Sequence, residues 1–204
     1  FVVGRPVLQV KAPAAFNGPL QGTATNAVVV PLDLPPETVE QTCRFLLHSP
    51  SVAGILVTVP YKKLLFGLAE ECGAAARVVG AVNALRCSAE GRIVGDLFDG
   101  AGFLSGLLAA GHPAEGRRVQ ILGAGGAGSA IAAALAGARV ASLDVYDPHK
   151  VQAEALVARL RTHFPWLSAH AVASPDFPCD IVLNATPLGM REGDPLPVDP
   201  ATLA

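Results

Sequence analysis

The chain has 204 residues and a formal net charge of -2 at pH 7, from 15 basic and 17 acidic side chains. A field that weak and balanced neither steers a nucleic acid nor holds a charged membrane surface, so a small molecule is the expected partner. Although 51% of residues are hydrophobic, no apolar run is long enough to cross a bilayer, and no basic stretch opens the chain ahead of an apolar one. A cytoplasmic protein is expected, with monomer and homodimer both left open.

The length suits two modest α/β lobes, each with its own core, and the division is expected between 1–98 and 99–204. Cys43, Cys72, Cys87 and Cys179 stand singly, which fits reduced, buried thiols rather than a disulfide frame or a zinc site. The five histidines, His48, His112, His149, His163 and His170, show no ligand spacing, so no metal is expected. The chain opens on Phe1 and stops at Ala204 soon after a Gly/Pro-rich loop, so both ends read as trimmed and the second lobe as lacking its C-terminal part.

In chain order, the valine-rich runs 27–30 and 54–59 read as strands, and 36–47 and 62–71 as helices. Residues 81–87 and 92–96, joined by Ala89, Glu90 and Gly91, read as a hairpin. An amphipathic helix over 99–110 follows, with Phe103, Leu104, Leu107 and Leu108 at helical spacing, and it is the natural joint between the lobes, with a crevice expected near it. After breaks at Gly111, Pro113 and Gly116, strand 118–122, helix 127–136, strand 140–146, helix 150–162 and strand 180–184 make half of a doubly wound sheet. The fold class is α/β: an N-terminal α/β lobe for substrate, then a Rossmann-type nucleotide-binding lobe.

Gly123, Gly125 and Gly128 form a GxGxxG pattern directly after an apolar strand and directly before a helix, the context that gives the pattern meaning. Gly123 permits the turn, Gly125 lets the backbone approach a pyrophosphate, and Gly128 lets helix and strand pack closely. The helix-start N–H groups and the helix dipole then attract the phosphates. A glycine-rich turn of some other α/β protein is the bland alternative. Asp147, at the end of the second strand, is placed to accept hydrogen bonds from the adenosine ribose and to repel a 2′-phosphate, which favours NAD over NADP. Asp147-Pro148 also reads as a helix N-cap followed by proline at the first helical position. No arginine follows, although His149 and Lys150 remain within reach of a phosphate.

Transferring a hydride to or from a secondary alcohol also requires moving a proton, so a tunable acid/base is needed. Lys62, past the end of the strand 54–59, and Asp99, at the start of the joining helix, are the candidates by placement; by composition alone each would be a surface charge or a cap.

Val-Thr-Val-Pro-Tyr-Lys (57–62), Gly-Ala-Val-Asn (80–83), Asp-Gly-Ala-Gly-Phe (99–103), Gly-Ala-Gly-Gly-Ala (123–127) and Asn-Ala-Thr-Pro-Leu-Gly-Met (184–190) occur in the order found in shikimate and quinate dehydrogenases. Gly4-Arg5-Pro6-Val7 resembles that family's opening strand. The resemblance spans nearly the whole chain and is strongest to the shikimate-dehydrogenase-like branch. It implies a two-lobe oxidoreductase that uses NAD or NADP on a ring hydroxyl of shikimate, quinate or a related cyclic polyol acid. It also implies that Lys62 and Asp99 are the acid/base dyad and that Thr58, Asn83 and Asp99 contact substrate. Gly123, Ala124, Gly125, Gly126, Ala127, Asp147 and Thr186 would then line the cofactor.

The pattern departs from the family in the pocket. Val10 and Ala12 stand where serines grip the substrate carboxylate, Leu56 where an asparagine precedes Val-Thr, and Leu97-Phe98 where Asn-Thr precedes the catalytic Asp-Gly. A hydrogen bond to a charged group contributes about 1.5–3 kcal/mol, so two lost hydroxyls weaken carboxylate binding by roughly 10²–10⁴-fold unless Lys11 or another group replaces them. The alternative reading is a non-catalytic nucleotide-binding regulator with a degenerate pocket, against which the presence of both Lys62 and Asp99 counts.

Overall fold

Short strands, buried at the centre and exposed at the edges, build the first sheet of the computed structural model, which describes residues 1–175, 178–189 and 191–198. Met190, the last residue of the 184–190 motif, lies outside the described residues. The chain divides into two compact units, Phe1–Leu97 and Phe98–Ala204, the division falling one residue before the place expected from sequence.

In the first unit β1 (Val2–Gly4), buried at every position, pairs in parallel with β2 (Pro31–Asp33) on one side and β3 (Ile55–Val57) on the other. Beyond β3 come β5 (Ala84–Cys87) and β6 (Ile93–Asp96) as an antiparallel hairpin, then β4 (Glu71–Cys72) parallel to β6, giving the order β2-β1-β3-β5-β6-β4. Among the helices of this unit, α2 (Val39–Leu47) buries Val39, Cys43 and Leu47, a stripe at four-residue spacing. Removing its Val and Leu side chains from water contributes about 1.5–3 kcal/mol each. By contrast α1 (Ala12–Gln21) buries no residue; it is tied down by Asn17, whose Oδ1 accepts from Val29 N at 2.7 Å and whose Nδ2 donates to Val29 O at 3.0 Å. A third helix, α3 (Ala74–Val79), ends on Gly80 in the left-handed conformation.

Two expected elements fall elsewhere. The strand expected at 27–30 is displaced to β2, because the Asn17 amide has already taken both polar backbone groups of Val29; Val28 is left exposed, and Pro31 opens an edge strand, where a missing N–H costs nothing. The helix expected at 62–71 is only a 3-10 turn, Leu65–Leu68. Glu70 explains the change: its N–H donates to Ile93 O at 2.8 Å, and its Oε1 accepts from Ile93 N, drawing residues 70–72 into the sheet beside β6. The opening strand likewise lies at Val2–Gly4, ahead of Arg5-Pro6-Val7.

The second unit is an all-parallel four-stranded sheet in the order β10-β7-β8-β9, with β7 (Arg118–Leu122), β8 (Ser142–Tyr146), β9 (Ser168–Ala171) and β10 (Ile181–Asn184). The connecting helices are α5 (Gly126–Gly137) and α6 (Lys150–His163), while α4 (Asp99–Ala109) packs on α5. Only Gly100 of α4 is buried, and a side chain there would strike Ala130 O, so the glycine sets how closely the two helices approach. The core is Ile121, Leu122, Leu143, Val145, Leu135, Leu156 and Leu160, each no more than 1% exposed. This sheet is the expected Rossmann-type half, with β9 added at the edge. Among the described residues no helix is long and apolar enough to cross a membrane.

Candidate functional site

Within the first unit, backbone pairing at the C-terminal end of β3 gathers three of the expected residues. Thr58 N donates to Val3 O at 2.9 Å, Val57 N to Asn83 O at 2.8 Å, and Asn83 N to Asp96 O at 2.9 Å. Tyr61 N closes a turn on Thr58 O at 3.0 Å, and Lys62 O accepts from Val82 N at 2.9 Å. Thr58, Lys62 and Asn83 are therefore fixed on adjoining segments at one end of the sheet, each half-buried. The turn that carries Lys62 is anchored by Tyr61, which is 2% exposed and donates its hydroxyl to Leu34 O. Gly4 makes room for this arrangement, since a Cβ there would overlap the Thr58 methyl. Val10 and Ala12, half-buried near the start of α1, present no hydrogen-bonding side-chain atom.

In the second unit, Asp99 is the first residue of α4, a position where a carboxylate is favoured by the helix dipole. The glycine turn between β7 and α5 is held from three directions. Gly123, at φ +102°, donates its N–H to Tyr146 O at 2.7 Å; a Cβ on it would sit 2.9 Å from the Ala185 carbonyl. A Cβ on Gly128 would overlap Gly123 O, so α5 can begin this close to β7 only with glycine there. Ser129, buried, donates its hydroxyl to Ala124 O at 3.1 Å. Gly125 and Gly126 differ: both are exposed, and no heavy atom lies within 4 Å of where their Cβ atoms would be. No side chain caps the start of α5.

Asp147 joins the turn to the end of β8. Its Oδ2 accepts from Ala124 N at 2.8 Å and its Oδ1 from His149 N at 2.8 Å, leaving the side chain 10% exposed. It is not the N-cap of α6, as the Asp-Pro pair suggested; the cap position is His149 and the helix begins at Lys150. The carboxylate closes a local turn on His149 N instead, because its second oxygen is already committed to the glycine turn. Beside the turn, Ala185 N donates to Leu122 O, and the Asn184 side chain organises the loop that carries Thr186. Asn184 Oδ1 accepts from both Thr186 N at 3.0 Å and Thr186 Oγ1 at 2.7 Å, while its Nδ2 donates to Leu188 O.

Gly123, Ala124, Gly125, Gly126, Ala127, Asp147 and Thr186 thus lie together around one turn. Open backbone at Gly125 and Gly126 and an uncapped helix start fit a dinucleotide pyrophosphate. Sequence reasoning did not assign the Asp147 contact to Ala124 or the organising role of Asn184. An asparagine two residues before a threonine at a strand end is the signal that points to the second. Among the described residues no group of three or more His, Cys, Asp or Glu side chains is placed to hold a metal ion.

Known proteins resemble this chain along most of its length. A family model described as the shikimate dehydrogenase substrate binding domain matches residues 2–85. A shikimate dehydrogenase (NADP(+)) of Rubrobacter xylanophilus is 37% identical over 201 residues, covering 96% of this chain and 70% of the relative. Among solved structures, the ligand-free 5-ketofructose reductase of Gluconobacter sp. strain CHM43 superposes with a TM-score of 0.90 at 26% identity, covering 100% of this chain and 74% of that one. Quinate dehydrogenase from Corynebacterium glutamicum in complex with NAD gives a TM-score of 0.83 at 25% identity, covering 97% of this chain and 73% of that one. With a curated relative this similar along most of its own length, the chain belongs to the shikimate dehydrogenase family of oxidoreductases.

Proposed function

We propose that this chain is a nicotinamide-dependent dehydrogenase of the shikimate/quinate 3-dehydrogenase type, reversibly oxidising a ring hydroxyl of shikimate, quinate or a related cyclic hydroxy acid in the cytoplasm. The observation that carries this reading is the glycine turn, with its open backbone at Gly125 and Gly126 and its uncapped helix, in a chain of this family. The N-terminal unit would bind substrate and the C-terminal unit the dinucleotide.

A nicotinamide cofactor, when bound, takes up or returns the hydride. Lys62 moves the proton at the hydroxyl oxygen: as an ammonium it gives a proton to the forming alkoxide, and as an amine it takes one from the alcohol. Asp99 is the second acid/base residue that the family resemblance implies, able as a carboxylate to hold a proton during the reaction. Thr58 and Asn83 supply hydrogen bonds to neighbouring ring hydroxyls, and the tethered backbone around them limits the entropy lost when substrate is ordered. NAD is the preferred cofactor, because the Asp147 carboxylate beside Ala124 is placed to accept from a ribose hydroxyl and repels a phosphate.

A neutral polyhydroxy ketone or alcohol is a second reading of the substrate, favoured by the aliphatic side chains of Val10 and Ala12 and by the similarity to a ketofructose reductase. Purified protein with NAD or NADP and a panel of shikimate, quinate, aminoshikimate and 5-ketofructose tests both. Turnover followed at the reduced-nicotinamide absorbance, lost in Lys62→Ala, supports the enzyme reading, and the preferred panel member decides between the substrates. A wild-type chain that binds nucleotide but turns over none of the panel favours the non-catalytic regulator instead.

A further inference from the structure

We propose that His149 reads the ribose 2′ position of the dinucleotide: its protonation relieves the repulsion between the Asp147 carboxylate and a 2′-phosphate, so the choice between NAD and NADP depends on pH. The inference rests on the reading of residues 123–128 as the dinucleotide turn.

The Asp147 carboxylate cannot turn away from an arriving phosphate. Its two oxygens are tied to Ala124 N and His149 N, both at 2.8 Å, and the side chain is 10% exposed. A fixed negative charge thus stands at the turn whatever cofactor arrives. Beside it, the His149 ring is 79% exposed, with Nδ1 3.4 Å from Asp147 Oδ1. Imidazole is the side chain that ordinarily changes charge between about pH 5 and 8. Neutral, it leaves the carboxylate's charge uncompensated. Protonated, it offsets that charge and offers a donor to a phosphate oxygen at the same place.

The surrounding charges leave this role to His149. Lys150, the next residue, pairs with Glu154 one turn along α6 at 3.4 Å. Residues 123–128 of the glycine turn carry no titratable side chain. Asp144, further down β8, faces His170 of β9 at 3.2 Å.

The test is calorimetric titration of the chain with NAD and with NADP, without any alcohol, at about pH 5.5 and about pH 8.5. For the unmodified protein, the ratio of the NADP to the NAD dissociation constant is expected to be about two- to fivefold smaller at the lower pH. In His149→Gln the ratio should show only the smaller change with pH that comes from the 2′-phosphate's own ionisation near pH 6. His149→Lys should hold the ratio low at both pH values. A His149→Gln ratio that follows the unmodified protein across pH overturns the proposal while leaving the cofactor site standing. Failure of the unmodified protein to bind either nucleotide overturns the cofactor reading and the proposal together.

Discussion

Adding one methyl group at Gly128 or at Gly125 separates packing from ligand approach within a single turn. A Cβ on Gly128 overlaps Gly123 O and lies 3.3 Å from the Ala185 Cβ, so the start of α5 must move away from backbone that cannot yield. Overpacking of this kind costs about 1–3 kcal/mol. For a chain of this length, each kcal/mol lowers the unfolding midpoint by roughly 2–4 °C. Gly128→Ala is therefore expected to melt about 2–12 °C lower and to bind NAD poorly. Gly125 is the contrast: its φ of -68° and ψ of -170° suit any residue, and nothing lies within 4 Å of its missing Cβ. Gly125→Ala should melt no lower, and up to about 1 kcal/mol of added stability is expected from the restricted unfolded chain. Its methyl nonetheless occupies the face that a pyrophosphate approaches, so NAD affinity should fall by about tenfold or more. Differential scanning calorimetry with and without NAD, paired with titration calorimetry, reads both quantities. A Gly125→Ala variant that binds NAD normally refutes the assignment of this turn, and a Gly128→Ala variant with an unchanged midpoint refutes the packing argument.

Three further perturbations test other parts of the account. Lys62→Ala should lower kcat by about 10²–10⁴-fold while leaving NAD binding unchanged, measured by steady-state rates and titration; equal losses of both would point to structural damage. Gln120, fully buried in β7, has no hydrogen-bond partner for Oε1 or Nε2 among the described residues, so Gln120→Met should be neutral or raise stability by about 1 kcal/mol in urea unfolding. Burial pushes the Cys43 thiol up to about 11. The folded pKa is raised, so the stability held by the neutral thiol is complete at neutral pH and drains away as pH climbs from the ordinary thiol range through about 11. Cys43→Ala should show a shallower alkaline loss of stability than the parent; parallel curves would count against the effect.

How much of this was legible in the sequence differed between the two units. The second unit obeys local rules: Val119, Ile121 and Leu122 in one run and Leu143 and Val145 in the other supply the buried strand positions, and the glycines sit where strand gives way to helix, so both strands and α5 were readable within two residues. β9 was missed because Ser168–Ala171 alternates small and polar residues and has little apolar signal of its own; pairing with β8 makes it a strand. In the first unit, tertiary contacts decide. Pro13, Gly18 and Pro19 argue against a helix, yet α1 forms there, pinned by the Asn17 amide to Val29. Val28–Val30 has strand composition, but that same amide displaces the strand to Pro31. Of the candidate site, pattern and position pointed to the glycines and Asp147, while Lys62 and Asp99 were suggested by placement and by resemblance to the family. The contact from Asp147 to Ala124 was hidden, because it joins residues 23 positions apart whose proximity only the β7–β8 register creates.

The central claim is that this chain moves a hydride between a ring carbon and a nicotinamide. The most direct measurement supplies alcohols of the panel deuterated at the carbinol carbon, incubates them with the protein and NAD, and weighs the recovered nucleotide by mass spectrometry. Reduced nucleotide heavier by one deuterium is expected with at least one member of the panel, and no more than traces of it from Lys62→Ala over the same time. Recovery of only unlabelled, oxidised nucleotide from every incubation, under conditions where calorimetry shows NAD bound, would contradict it.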